Sequence, residues 1–139
     1  MESPTKSTNE TILVIEDEPS LRDIYATKLG IEHFKVLQAA DGIEGFDMAI
    51  QGQPSLILLD VVLPIKDGFD VLKDLKANPR TSAIPVIIMS NLSQPYEVKR
   101  GLALGAECFL TKANLTPDRI IEEVRRVLAK TAAAKSGRP

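Results

Sequence analysis

Glu16, Asp17, Asp60, Ser90 and Lys112 are the residues whose types and placement could do chemistry together. Each follows a run of apolar residues. Thr11 to Ile15 leads into Glu16-Asp17-Glu18, Ser55 to Leu59 into Asp60, Ile84 to Met89 into Ser90, and Ala106 to Leu110 into Thr111-Lys112. Taken singly, each has an ordinary explanation: the acids could complement the positive end of a helix, Ser90 could cap one, and Lys112 could be a solvated charge. Brought to one spot, three carboxylates repel one another, and at neutral pH that repulsion needs an offset. Lys112 supplies one positive charge, and a divalent cation would supply the rest. The donors are all hard oxygens, with no His or Cys among them, which selects Mg²⁺ or Mn²⁺ over zinc. A carboxylate beside such an ion is a nucleophile toward phosphorus. Phosphoryl transfer needs chiefly alignment and neutralisation of the equatorial oxygens. The ion, the Lys112 ammonium and the Ser90 hydroxyl are groups of the right kind.

For these side chains to meet, the apolar runs must be strands of one sheet whose carboxyl ends share an edge, where open α/β sheets bind their ligands. Runs without polar alternation are strands covered on both faces. The segment Ser55 to Pro64 organises the rest, with Asp60 where the strand leaves the core and Pro64 barring its continuation. Helical signals fill the gaps between runs. Leu21, Ile24, Tyr25, Lys28 and Leu29 recur at helical spacing after Pro19, up to a stop at Gly30. Lys35 to Ala39 is a short strand. Ile43, Phe46 and Ile50 mark a helix face that ends at Gly52. Asp67-Gly68 opens a helix with Phe69, Leu72 and Leu75, which stops near Asn78-Pro79. Pro95 begins a helix with Val98 and Leu102 before Gly105. Thr116-Pro117 is an N-cap and first turn, and Ile120, Val124, Val127 and Leu128 form the stripe of the last helix. Five strand–helix repeats predict an α/β fold, a parallel sheet with right-handed crossovers and helices on both faces.

The chain has 139 residues, of which 44% are hydrophobic and 26% charged, the proportions of one globular domain. Residues 1–10 read as a disordered leader, 11–130 as the folded domain and 131–139 as a flexible tail. A formal net charge of −2 gives no reason to expect nucleic-acid binding. Cys108 is the only cysteine, which excludes an internal disulfide. The polar start lacks a signal-peptide core, and no apolar run reaches membrane-spanning length, so a cytoplasmic protein without membrane insertion is expected. His33, the lone histidine, is expected at the surface.

The motifs ILVIEDE, LLDVVLPIKDG, the Met89-Ser90 pair and LTK at Lys112 stand in this order at these separations. On them, from about Glu10 to Ala129, the sequence resembles the receiver domain of two-component response regulators, of the chemotaxis-regulator-like type. The resemblance implies a flavodoxin-like, doubly wound five-stranded sheet with strand order 2-1-3-4-5. It implies phosphorylation of Asp60 by a histidine kinase or phosphotransfer protein. Glu16, Asp17, Asp60 and the Val62 main-chain carbonyl would hold Mg²⁺, with Mn²⁺ as a substitute. Ser90 would turn toward the phosphoryl group, Lys112 would contact its oxygens, and Phe109 would be the aromatic residue whose rotamer follows the switch. The aspartyl phosphate would re-shape a surface of the fourth helix, fifth strand and fifth helix, read by a downstream protein, in a monomer or a phosphorylation-dependent dimer.

Several positions depart from the family pattern. Glu16 stands where Asp is usual. Val62 and Leu92, two residues past Asp60 and Ser90, are apolar at positions that flank the water of hydrolysis. Ala113 replaces the proline that makes the preceding bond cis in the family. A cis bond before alanine costs about 2.5–4 kcal/mol, so a trans bond is expected, with the loop before Thr116 displaced and Lys112 still reaching Asp60. The chain reads as a stand-alone receiver, not an enzyme beyond its own phosphorylation and dephosphorylation. Two other readings are the receiver half of a longer regulator and an unphosphorylated scaffold, although a scaffold of that kind usually loses an acid or the lysine. A haloacid-dehalogenase-type phosphatase would need an acid where Val62 stands.

Overall fold

The computed structural model describes residues 10–91 and 94–136. Five strands alternate with five helices: β1 (Thr11–Ile15), α1 (Pro19–Ile31), β2 (Lys35–Ala39), α2 (Gly42–Gly52), β3 (Leu56–Leu59), α3 (Gly68–Ala77), β4 (Val86–Ser90), α4 (Pro95–Ala103), β5 (Cys108–Thr111) and α5 (Pro117–Ser136). The strands form one sheet in the order β2-β1-β3-β4-β5, every pairing parallel. This is the flavodoxin-like order expected from the sequence, with its switch point between β1 and β3.

The unbroken apolar runs are explained by two separate cores. Leu13, Ile15, Ile57, Leu59, Val86 and Ile88 face one side, where they pack with residues of α2 and α3 such as Ala49, Leu72 and Leu75. Their neighbours Ile12, Val14, Leu56, Leu58, Ile87 and Met89 face the other, against Leu29 of α1 and Ile120, Val124 and Val127 of α5. Successive side chains of a strand point to opposite faces, so covering both faces requires apolar residues at every position. Register then aligns the strand ends. Ile15 pairs with Leu59, which sets Glu16 beside Asp60, and Ser90 pairs with Thr111, one residue short of Lys112.

Helix existence was legible in the sequence, whereas several helix details were not. α1 runs through Gly30 to Ile31, and the residue with a left-handed φ of 77° beyond its end is the exposed His33. Ile24 on that helix is 48% exposed and does not belong to its buried face. In α2 the fully buried positions are Gly42, Gly45 and Ala49, while Phe46 and Ile50 are only partly buried and Ile43 is exposed. Small residues are needed there because a Cβ on Gly45 would lie 2.6 Å from Ile15 Cδ1. Likewise α4 buries Gly101 and leaves Leu102 exposed. Helical periodicity located apolar residues but could not show that close packing selects small ones. α5 also extends through 131–136, where Ala132, Ala133 and Ala134 favour helix over the flexible tail expected from the sequence. Of the expected leader, 1–9 lie outside the described residues, as do 137–139.

Candidate functional site

The acidic run after β1 divides into three different tasks. Glu18 is the N-cap of α1, its Oε1 accepting from the Leu21 N–H at 3.0 Å. Glu16 is fully buried, and its Oε2 accepts from the Glu18 N–H at 3.1 Å. Asp17 is exposed, with no capping role. Arg22 in α1 fixes this loop by donating to the Glu16 main-chain carbonyl at 2.8 Å. Sequence reasoning did not single out Arg22; a cation near the positive end of a helix runs against the helix dipole and was the available signal.

Asp60 is 4% exposed and held from three directions. Its N–H donates to Ile15 O at 3.0 Å, tying the end of β3 to β1. Its Oδ1 accepts from the Val62 N–H at 3.1 Å, and its Oδ2 accepts from Lys112 Nζ at 2.8 Å. Lys112 Nζ also lies 2.6 Å from Glu16 Oε1, so one ammonium bridges two acids from different strands. Below Asp60, the amide of Gly68 donates to Val61 O at 2.8 Å. A Cβ on Gly68 would meet Val61 Cα at 2.3 Å and Asp60 O at 2.4 Å, so the start of α3 rests directly on the Asp60 backbone.

Burial raises the pKa of Glu16, a trend that Asp60 reinforces and that the Lys112 ammonium and the Glu18 amide only partly oppose. For Lys112, burial works against the charged form, but its bonds to Asp60 and Glu16 outweigh this and its pKa is raised. Tyr25 of α1 lies near enough to feel all three charges; its phenol is shifted up, chiefly by burial. Glu16, Asp17 and Asp60 each offer a carboxylate oxygen, and these lie within 4.8 Å of one another. Three acids against one ammonium leave an excess of negative charge. Glu16 Oε1 is buried without a hydrogen bond of good geometry, although the ammonium is close. An all-oxygen cradle with an excess of negative charge and an under-satisfied buried oxygen fits a hard divalent cation such as Mg²⁺. These acids could hold it.

Ser90 ends β4 fully buried. Phe109 in β5 is partly buried and packs on the same core as Ile88, beneath α4. Val62 is 55% exposed, and Leu92 lies outside the described residues. The bond after Lys112 is trans, since no cis peptide bond occurs among the described residues. Lys112–Asn114 form one turn of 3-10 helix, from which the lysine reaches Asp60. No helix among the described residues is long and apolar enough to cross a membrane.

Residues 12–125 match the response regulator receiver domain family. The DNA-binding dual master transcriptional regulator RpaA of Synechocystis is 38% identical over 120 residues, covering 86% of this chain and 49% of that protein. The chain thus spans about half the length of the curated relatives it matches. Among solved structures, a CheY-like receiver domain protein of Methanospirillum hungatei superposes with a TM-score of 0.85 at 22% identity, covering 94% of this chain and all of that one, which shows the fold. A Francisella response regulator receiver domain has a TM-score of 0.82 at 28% identity, covering 88% of this chain and 99% of that one. With its flavodoxin-like sheet and its acids gathered at one edge, the chain belongs to the response regulator receiver domain family of two-component signal transduction.

Proposed function

We propose that Asp60 is the phosphoacceptor of a two-component phosphorelay. An Asp60 oxygen attacks the phosphorus of a phosphohistidine on a histidine kinase or phosphotransfer protein. The P–N bond breaks, the imidazole leaves with the electron pair, and an aspartyl phosphate remains. The observation that carries this reading is the Lys112 ammonium shared by Asp60 Oδ2 and Glu16 Oε1 at a buried sheet edge, within reach of Asp17. Lys112 is placed to move from carboxylate to phosphoryl oxygen as charge builds there. Glu16, Asp17, Asp60 and the Val62 main-chain carbonyl would hold Mg²⁺, whose contribution is to neutralise the phosphoryl oxygens.

The signal leaves through Ser90 and Phe109. The new phosphoryl oxygens draw the Ser90 hydroxyl, Phe109 follows, and the surface of α4, β5 and α5 changes shape for a downstream protein. Such a local charge change biases a two-state element. No nucleic-acid contact is needed, and the net charge of −2 offers no basic footprint for one.

Incubation with acetyl phosphate and Mg²⁺, followed by intact-mass measurement, tests the assignment. The wild type should gain one phosphoryl group and Asp60→Asn none, because an amide is not a nucleophile. Labelling of Asp60→Asn at another residue would overturn it.

A further inference from the structure

The loop between β3 and α3 displays an apolar side chain at a cost in backbone strain. The Lys66 N–H donates to Pro64 O at 2.7 Å, closing a three-residue turn around Ile65. Ile65 has φ 69°, a region that β-branched residues rarely occupy. Burial does not compensate it, since Ile65 is 74% exposed. Neighbouring packing holds the turn in place. A Cβ on Gly42 would meet Lys66 O at 2.5 Å, so the loop lies flat on the start of α2. Ile43, one residue on, is 53% exposed, and Ile43 and Ile65 line both of two adjoining depressions along α2 and α3.

The rim of these depressions is acidic. Asp41, Glu44 and Asp47 edge the α2 side; Asp67, Asp70 and Asp74 edge the α3 side. Among the described residues that line them, the cations are Lys66 and Lys73, and Lys66 and Asp74 pair with each other, which leaves five acids facing Lys73. This one face is therefore more negative than the whole chain, whose formal net charge is −2. A second copy would set the same acids against each other, which costs free energy across an interface. A cationic partner has the complementary charge.

We propose that the α2–α3 face docks a cationic amphipathic segment of a partner protein. One apolar side chain sits between Ile43 and Ile65, and Lys or Arg residues on either side of it meet the two rows of acids. This is the helix-in-groove mode with charge steering added. The proposal does not depend on phosphoryl transfer at Asp60.

The probe is a peptide of Leu and Lys in helical i, i+3, i+4 order, titrated into the ¹⁵N-labelled full chain with Mg²⁺ present; a Leu/Glu peptide of the same pattern is the control. Amide shifts should concentrate in 41–51 and 62–74, and the control should not bind. Ile65→Gly, which suits the backbone angle and so keeps the fold, should weaken binding by about tenfold or more. Asp47→Asn with Asp70→Asn should reduce both the affinity and its salt dependence. Asp60→Asn should bind as the wild type does, which separates this site from the phosphoacceptor. Shifts centred on another face, equal binding by Ile65→Gly, or equal binding of the Leu/Glu peptide would overturn the proposal. So would self-association through these same amides that Ile65→Gly abolishes, which would make a second copy the occupant.

Discussion

Glu16 and Asp17 are adjacent acids with opposite environments, one fully buried against Lys112 and one exposed. In the proposed site the exposed acid is the direct Mg²⁺ ligand and the buried one acts through water. Asp17→Ala should then weaken Mg²⁺ binding more than Glu16→Ala does; a titration giving the larger loss to Glu16→Ala would reverse the roles. The raised pKa of Glu16 also has a pH signature. A carboxyl that binds its proton more tightly when folded contributes stability below its unfolded pKa, about 4.3, and loses it as pH rises through the folded value. In EDTA, Glu16→Gln should therefore gain stability relative to wild type across that window and hold a constant difference above it. Thermal melts at a series of pH values read this directly, and a difference that stays flat throughout would show that Glu16 does not titrate there. Hydrolysis of the proposed aspartyl phosphate gives a third test. In that proposal the apolar residue types at 62 and 92 would give the attacking water no polar partner, and a misplaced reacting group costs about a hundredfold in rate. The combination of Val62→Asn and Leu92→Glu should shorten the phosphoryl lifetime by about that factor, measured as loss of the added mass with time; an unchanged lifetime would refute the idea.

Two junctions between elements govern the site. The first is the seat of α3 on the end of β3, where Gly68 leaves no room for a side chain against the Val61 and Asp60 backbone. Rigid main chain cannot yield as the tip of a side chain can, so Gly68→Ala must push α3 away or move Asp60. The expected cost is about 3 kcal/mol in denaturant unfolding, at the upper end for overpacking, with slower phosphorylation by acetyl phosphate. Wild-type stability in that variant would mean that the close approach relaxes freely. The second junction is the passage from β5 to α5. There a single 3-10 turn through Ala113, with a trans bond, still delivers Lys112 to Asp60 at 2.8 Å. The turn ends before Thr116, whose Oγ1 accepts from the Arg119 N–H at 3.1 Å and starts α5.

Over the whole molecule, charge repulsion gathers at the carboxyl edge of the sheet, while the two cores beneath supply the stability. An ion that binds only the folded chain draws on that coupling. At ten times its dissociation constant, Mg²⁺ should add about 1.4 kcal/mol to unfolding free energy. The expected observation is a melting temperature that climbs with Mg²⁺, falls back on EDTA and barely responds in Asp17→Ala. A wild-type midpoint indifferent to Mg²⁺ would argue against the cradle.

Sequence alone determined the sheet and the set of groups at its edge. A parallel strand covered on both faces must be apolar at every position, so β1, β3 and β4 announced themselves, and the polar residue ending each run had to lie at the ligand-binding edge. Glu16, Asp17, Asp60 and Ser90 were legible for that reason, and Lys112 from the weaker apolar segment before it. Tertiary structure decided what periodicity does not encode. It buried Glu16 and exposed Asp17, although the two are adjacent acids, because the chain turns away from the sheet between them. It chose Gly42, Gly45 and Ala49 over Ile43 as the seat of α2, because the distance between backbones, not hydrophobicity, selects the residue at a close crossing. It also turned Ile43 and Ile65 outward among acids from two helices, a juxtaposition of residues from separate segments that only folding creates.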